Sequence, residues 1–171
     1  MTDNLPAGSE KMFNIDEIFE IAEQIERNGV IFYTRAAEKF SEYTKKSVFL
    51  NLADMERKHE KRFHEMRLEL AGKEREISQF LDPQGEAIQY LRSIANSKVF
   101  DLISDPETKF KNVQSISDLL RVAIDIEKDS IIFYLGIKEA VNEKLGKEKI
   151  DLIVKEEMQH VATLTDLLES L

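Results

Sequence analysis

The stretch "MERKHEKRFHEM", Met55 to Met66, puts a glutamate and a histidine where a packed helix has room only for apolar side chains. Stepping through the region by threes and fours gives Phe49, Leu52, Glu56, His59, Phe63, Met66 and Leu70, the inward stripe of an amphipathic helix. A carboxylate buried unpaired in such a stripe costs several kcal/mol. Something must face it.

The answer begins with an internal repeat. Positions 101 apart align without gaps: "AEQIERNGVIFY" (Ala22 to Tyr33) lies over "AIDIEKDSIIFY" (Ala123 to Tyr134). Glu26 falls on Glu127, Tyr33 on Tyr134, Glu56 on Glu157 and His59 on His160. Phe63, Met66 and Leu70 fall on Leu164, Leu167 and Leu171. Two helical hairpins related by duplication account for this pattern. Asn14 with Glu17, and Ser115 with Asp118, have the spacing of N-terminal capping boxes. The periodicity predicts helices over about 15–43, 46–72, 116–144 and 147–170, with turns at "SEYTKKS" (41–47) and "GKE" (146–148).

Between the hairpins, Lys73 to Gln114 is broken by "DPQG" (82–85) and "SDPE" (104–107), with one short helix suggested by Ala87, Ile88, Leu91 and Ile94. A segment of this length can carry the chain from the end of the second helix back to the start of the third. That makes the expected fold all-α: a ferritin-like four-helix bundle of two antiparallel hairpins joined by a long crossover, in one domain spanning 1–171.

Bulk composition agrees and excludes much else. The chain has 171 residues with only 6 glycines and 3 prolines, which suits long helices. A net charge of -9 with scattered basic residues argues against nucleic acid. With no cysteine, thiolate zinc sites and Cys-ligated iron are excluded. "MTDNLPAGSEKMF" lacks the apolar centre of a signal peptide, and no run approaches a membrane span of ~20 residues, so the expectation is a cytoplasmic protein without membrane contact.

All four stripes share one rhythm. The first helix gives Phe19, Ala22, Glu26, Gly29, Tyr33 and Ala36; the third gives Leu120, Ala123, Glu127, Ser130, Tyr134 and Ile137; the fourth gives Ile150, Ile153, Glu157, His160 and Leu164. Thirty residues separate the glutamates within each hairpin, from Glu26 to Glu56 and from Glu127 to Glu157. Across a short turn, that spacing brings all four into one layer. Four carboxylates carry a charge that two divalent cations cancel, and two neutral imidazoles complete the coordination. This is the ligand set of di-iron and di-manganese bundles, and its oxygen and nitrogen donors suit iron or manganese.

An isolated Glu-x-x-His is ordinarily a solvated pair on a helix surface. Two of them in core stripes at the repeat offset are not. His64, off the stripe, reads as a surface residue. Tyr33 and Tyr134 stand equally well as core aromatics or as partners of the site.

With "ERKHEKRF" (Glu56 to Phe63), "EEMQH" (Glu156 to His160) and the paired "E-x-x-[GS]-x-x-F-Y" segments, the sequence resembles the rubrerythrin branch of the ferritin-like di-iron carboxylate proteins over roughly 15–170. The resemblance implies a centre of two iron ions, with manganese or a mixed pair as the alternative. Glu26 and Glu127 would be terminal ligands and Glu56 and Glu157 bridging ones. His59 and His160 would bind one ion each. Tyr33 and Tyr134 would be the catalytic hydrogen-bond donors beside them.

The implied activity is reduction of hydrogen peroxide, with O2 consumption close behind, in a homodimer or larger homo-oligomer. Iron oxidation for storage, or a structural or sensing metal site, are the other readings. Two departures from the family stand out. Ser130 occupies the place of an extra glutamate that family members usually carry. The missing cysteines leave electron supply to a separate donor such as a rubredoxin, or to a small molecule.

Overall fold

The computed structural model describes residues 15–70, 86–94, 106–111, 113–141, 143 and 146–171. Among them are six helices and no strand: α1 (Ile15–Glu38), α2 (Tyr43–Leu70), α3 (Glu86–Ile94), α4 (Pro106–Phe110), α5 (Ile116–Ala140) and α6 (Lys147–Glu169). The long ones are α1 paired with α2 and α5 paired with α6, as the repeat requires.

The core reveals the topology. One apolar cluster gathers Phe19 and Ala22 of α1, Phe63 and Met66 of α2, Phe133 and Ile137 of α5, and Ile150 and Ile153 of α6. The other gathers Tyr33 and Ala36 of α1, Phe49 and Leu52 of α2, Leu120 and Ala123 of α5, and Leu164 of α6. The start of α1 therefore lies beside the end of α2, the end of α5 and the start of α6. So α2 and α5 run the same way, and the chain must travel the bundle's length between them. That is the long crossover of a ferritin-like bundle. Two short helices mark its path. Leu91 of α3 joins the first cluster and reaches into the space left by Gly136 on α5. Phe110 of α4 stacks on Phe32 in the second, with ring centroids 5.0 Å apart.

Helix ends differ from the periodic reading, for tertiary reasons. Helix α1 stops at Glu38 rather than near 43, and α2 begins at Tyr43, inside the expected turn. Amides of Lys39 and Phe40 bond back to Ala36 and Ala37, tightening the last turn. Phe40 then stacks on Phe49 across the hairpin at 4.9 Å. Helix α5 ends at Ala140 rather than 144 because Val141 turns extended (φ -119°, ψ 152°) and buries its side chain. Gly146 precedes α6 at φ 96°, a conformation that a side chain disfavours.

The Ser115–Asp118 capping box is formed in both directions, whereas Asn14 and "DPQG" lie outside the described residues. Pro106 of "SDPE" opens α4, the helix position where proline's missing N–H costs nothing. Leu171, the last member of its stripe, lies past the helix and is exposed. No helix among the described residues is long and apolar enough to cross a membrane.

Candidate metal centre

Between the two apolar clusters lies a polar layer. Glu26, Glu56, His59, Glu127, Glu157 and His160 are each at most 4 % exposed, one carboxylate from every long helix with an imidazole one turn on in α2 and α6. They form two tetrads, Glu26–Glu56–His59–Glu157 and Glu56–Glu127–Glu157–His160, in each of which one potential ligand atom per residue lies within 4.8 Å of the others. Glu56 and Glu157 belong to both. Glu157 spans the layer: Oε1 lies 2.9 Å from Nδ1 of His59, and Oε2 lies 2.8 Å from Nδ1 of His160. His160 Nδ1 also approaches Glu56 at 3.3 Å and Glu127 at 3.4 Å.

These close approaches leave bonding capacity unused. Oxygens of Glu26, Glu56 and Glu157 and the Nδ1 atoms of both histidines are buried without a hydrogen-bond partner among the described residues. Unsatisfied oxygen and nitrogen atoms converging in a dry layer fit a pair of divalent cations, Fe or Mn by donor type.

The tyrosines brace the layer from the opposite hairpin. Tyr33 of α1 donates its hydroxyl to Glu127 of α5, and Tyr134 of α5 donates to Glu26 of α1. The two bonds exchange under the sequence repeat, so the site keeps an approximate two-fold symmetry. Burial, with the neighbouring carboxylates, pushes both phenols well above their ordinary range, so they remain donors.

Without metal, protons carry the compensating charge. Burial and the Glu157 carboxylate raise Glu56 well above the carboxylate range, and burial with Glu157 carries Glu127 up to about 8. Burial alone would lower both histidines, but the carboxylates around them prevail: His59 rises to about 10, and His160 rises as well. Burial would raise Glu157, yet His160 and His59 hold it below the ordinary range. A cation entering the layer must displace these protons.

Four further observations refine the sequence reading. Ser130 is buried, but its hydroxyl bonds back to the Ile126 carbonyl at 3.0 Å, so it serves its own helix. His64 is more than half exposed, as expected, with Nδ1 3.4 Å from Glu23. Periodicity missed Glu23 itself, a buried carboxylate off the stripe that Arg27 and Arg67 approach at 3.4 and 3.5 Å. It also missed Glu156, whose Oε2 lies 2.6 Å from Nε2 of His59. The signal was present in the doubled glutamate of "EEMQH", where only the second falls on the stripe.

Three single variants test this layer. His59→Ala and His160→Ala are each expected to lose metal while keeping the helical circular dichroism. A double variant still holding two ions per chain contradicts the ligand assignment. At Gly29, an added Cβ would sit 2.8 Å from Oε2 of Glu56. Cγ and Cδ of Glu56 would lie 3.1 and 3.2 Å away as well, so the whole side chain must turn, and Gly29→Ala should keep the helical circular dichroism at a lower Tm. Metal affinity should nevertheless fall by about tenfold or more, the range seen when a ligand's setting is disturbed. Calorimetric metal titration of the variant decides it.

Comparison with known proteins places the chain. A family model described as Rubrerythrin matches residues 8–102, more than half of the sequence. Among solved structures, a Thermotoga maritima protein provisionally described as a ferritin-like diiron-carboxylate protein superposes with a TM-score of 0.63. The match covers 92% of this chain and 96% of that one at 21% sequence identity, a likeness of fold. No curated protein matches the chain.

Proposed function

The chain belongs to the rubrerythrin family, and from that premise we propose that it is a di-iron peroxidase, reducing hydrogen peroxide with electrons from an external donor. The observation that carries the reading is the pair of tetrads sharing Glu56 and Glu157. Glu26 with His59 would complete one position, and Glu127 with His160 the other. When bound, two ferrous ions supply two electrons at one site, which with two protons reduce one hydrogen peroxide to two waters.

The chain's own residues supply position and environment. Tyr33 and Tyr134 tether the terminal carboxylates across the hairpins, fixing them before any ion arrives. Apolar layers on both sides keep bulk water from the carboxylates and strengthen every charge interaction within. Ser130 brings no seventh ligand, so the ligand set among the described residues is six side chains. Because the chain has no cysteine, electrons come from a donor outside it, a small redox protein of the rubredoxin kind or a small molecule.

Stopped-flow absorbance of the anaerobic Fe(II)-loaded protein, mixed separately with hydrogen peroxide and with O2, tests the proposal. Rapid two-electron oxidation by peroxide, much faster than by O2, is expected. Fast reaction with O2 instead would overturn the peroxidase reading in favour of an oxidase or a ferroxidase, and a large hollow assembly would single out the latter. Two bound irons that neither oxidant touches would reduce the centre to a structural or sensing role.

A further inference from the structure

The approximate two-fold symmetry of the metal layer breaks on the outer side of the histidines. Nε2 of His59, the ring nitrogen turned away from the carboxylates, donates to Oε2 of Glu156 at 2.6 Å. The same oxygen accepts from Arg62 at 2.7 Å, so the carboxylate is itself anchored. Shifting by the repeat, the places of Glu156 and Arg62 are taken by Met55 and Thr163, neither of which offers a carboxylate or a guanidinium. Nε2 of His160 is accordingly buried with no hydrogen-bond partner among the described residues.

We propose that the two metal positions are inequivalent, and that Glu156 is the positioning residue that makes the His59 position bind a divalent cation first and more tightly. The inference rests on the metal reading given above. A carboxylate accepting from the outer nitrogen of a ligating imidazole fixes the tautomer, leaving the inner nitrogen's lone pair free for the ion. It also sets the ring's rotation and raises its basicity toward the metal. His59 has its outer nitrogen engaged and its rotation set before metal arrives, so the proton the ion displaces is the inner one. His160 must adopt the right tautomer and angle with none of the described residues holding its outer edge. Removing such an outer partner typically costs about 10–100-fold in metal affinity, which sets the gap expected between the positions.

The test is a titration of the metal-free protein with Co(II), followed by visible absorption and calorimetry under anaerobic conditions. Wild type should take up two ions in separable steps, the first tighter by about tenfold or more. Glu156→Met, which copies the other half, should weaken the first step by that factor and leave the second in place. Glu156→Asp should recover part of the loss. The reverse change, Met55→Glu with Thr163→Arg, should draw the second step toward the first, and far-UV circular dichroism checks that each variant is folded. In a His160→Ala background the tight step should survive; in His59→Ala it should vanish.

Uptake of two ions in indistinguishable steps, or a first step unmoved in Glu156→Met, overturns the inference while the metal reading stands. Wild type that takes up no metal overturns both.

Discussion

Glu157→Gln is expected to cost the protein both metal ions at once, whereas either histidine variant removes chiefly the ion on its own side. The asymmetry follows from geometry. Each histidine belongs to one tetrad, but Glu157 belongs to both and turns one oxygen toward each imidazole. Glutamine keeps the shape and can offer one carbonyl oxygen. It lacks the charge and the second acceptor, so it cannot bridge two cations. Loss of one shared ligand should lower affinity at both positions by more than the roughly 10–100-fold typical of an outer partner. Metal analysis after gel filtration should fall from two ions per chain to none, with the helical spectrum preserved. A Glu157→Gln protein retaining two ions would mean that the bridge lies elsewhere.

Metal loading should also change stability, and by an amount that grows with pH. Ions held at about 100 times their dissociation constant contribute about 2.7 kcal/mol per site, or about 5 kcal/mol for two. For a chain of this size, each kcal/mol moves the melting temperature by roughly 2–4 °C, so loading should raise Tm by roughly 10–20 °C.

The pH dependence has a definite sign. In the metal-free fold Glu127 is raised from 4.5 to about 8 and His59 from 6.5 to about 10, with Glu56 and His160 also raised. The folded state therefore holds protons that the unfolded chain releases, and stability is lost as pH rises from 4.5 through about 10. Glu157, shifted the other way, affects only the acid side of that window. Metal uptake displaces the same protons and strengthens as pH rises. Calorimetric scans with and without chelator should show the metal-free Tm falling with pH and the gap to the loaded protein widening. A metal-free Tm that climbs across that window would contradict the proton-filled layer.

Much of this was legible in the sequence because the duplication records three-dimensional symmetry in one dimension. The offset linking Glu26 to Glu127 and His59 to His160 gave four helices, their pairing and the polar layer together. What stayed hidden depends on contacts between elements. The end of α1 is decided by Phe40 finding Phe49, a contact no local propensity contains. That Tyr33 serves Glu127, and Tyr134 serves Glu26, depends on how the hairpins face each other; spacing alone left both rings open between core and site. Glu156 lies one position off the inward stripe, where a glutamate ordinarily faces water. Its role emerges only when α2 brings His59 against it. Helix α4 is too short to announce itself by periodicity.

The most direct test of the central claim is anomalous diffraction at the iron edge from crystals of the anaerobically Fe(II)-loaded protein. Two peaks per chain are predicted inside the polar layer, one beside His59 and one beside His160, with Glu56 and Glu157 between them. A single peak, no peak, or iron found only on surface acidic groups would contradict the account.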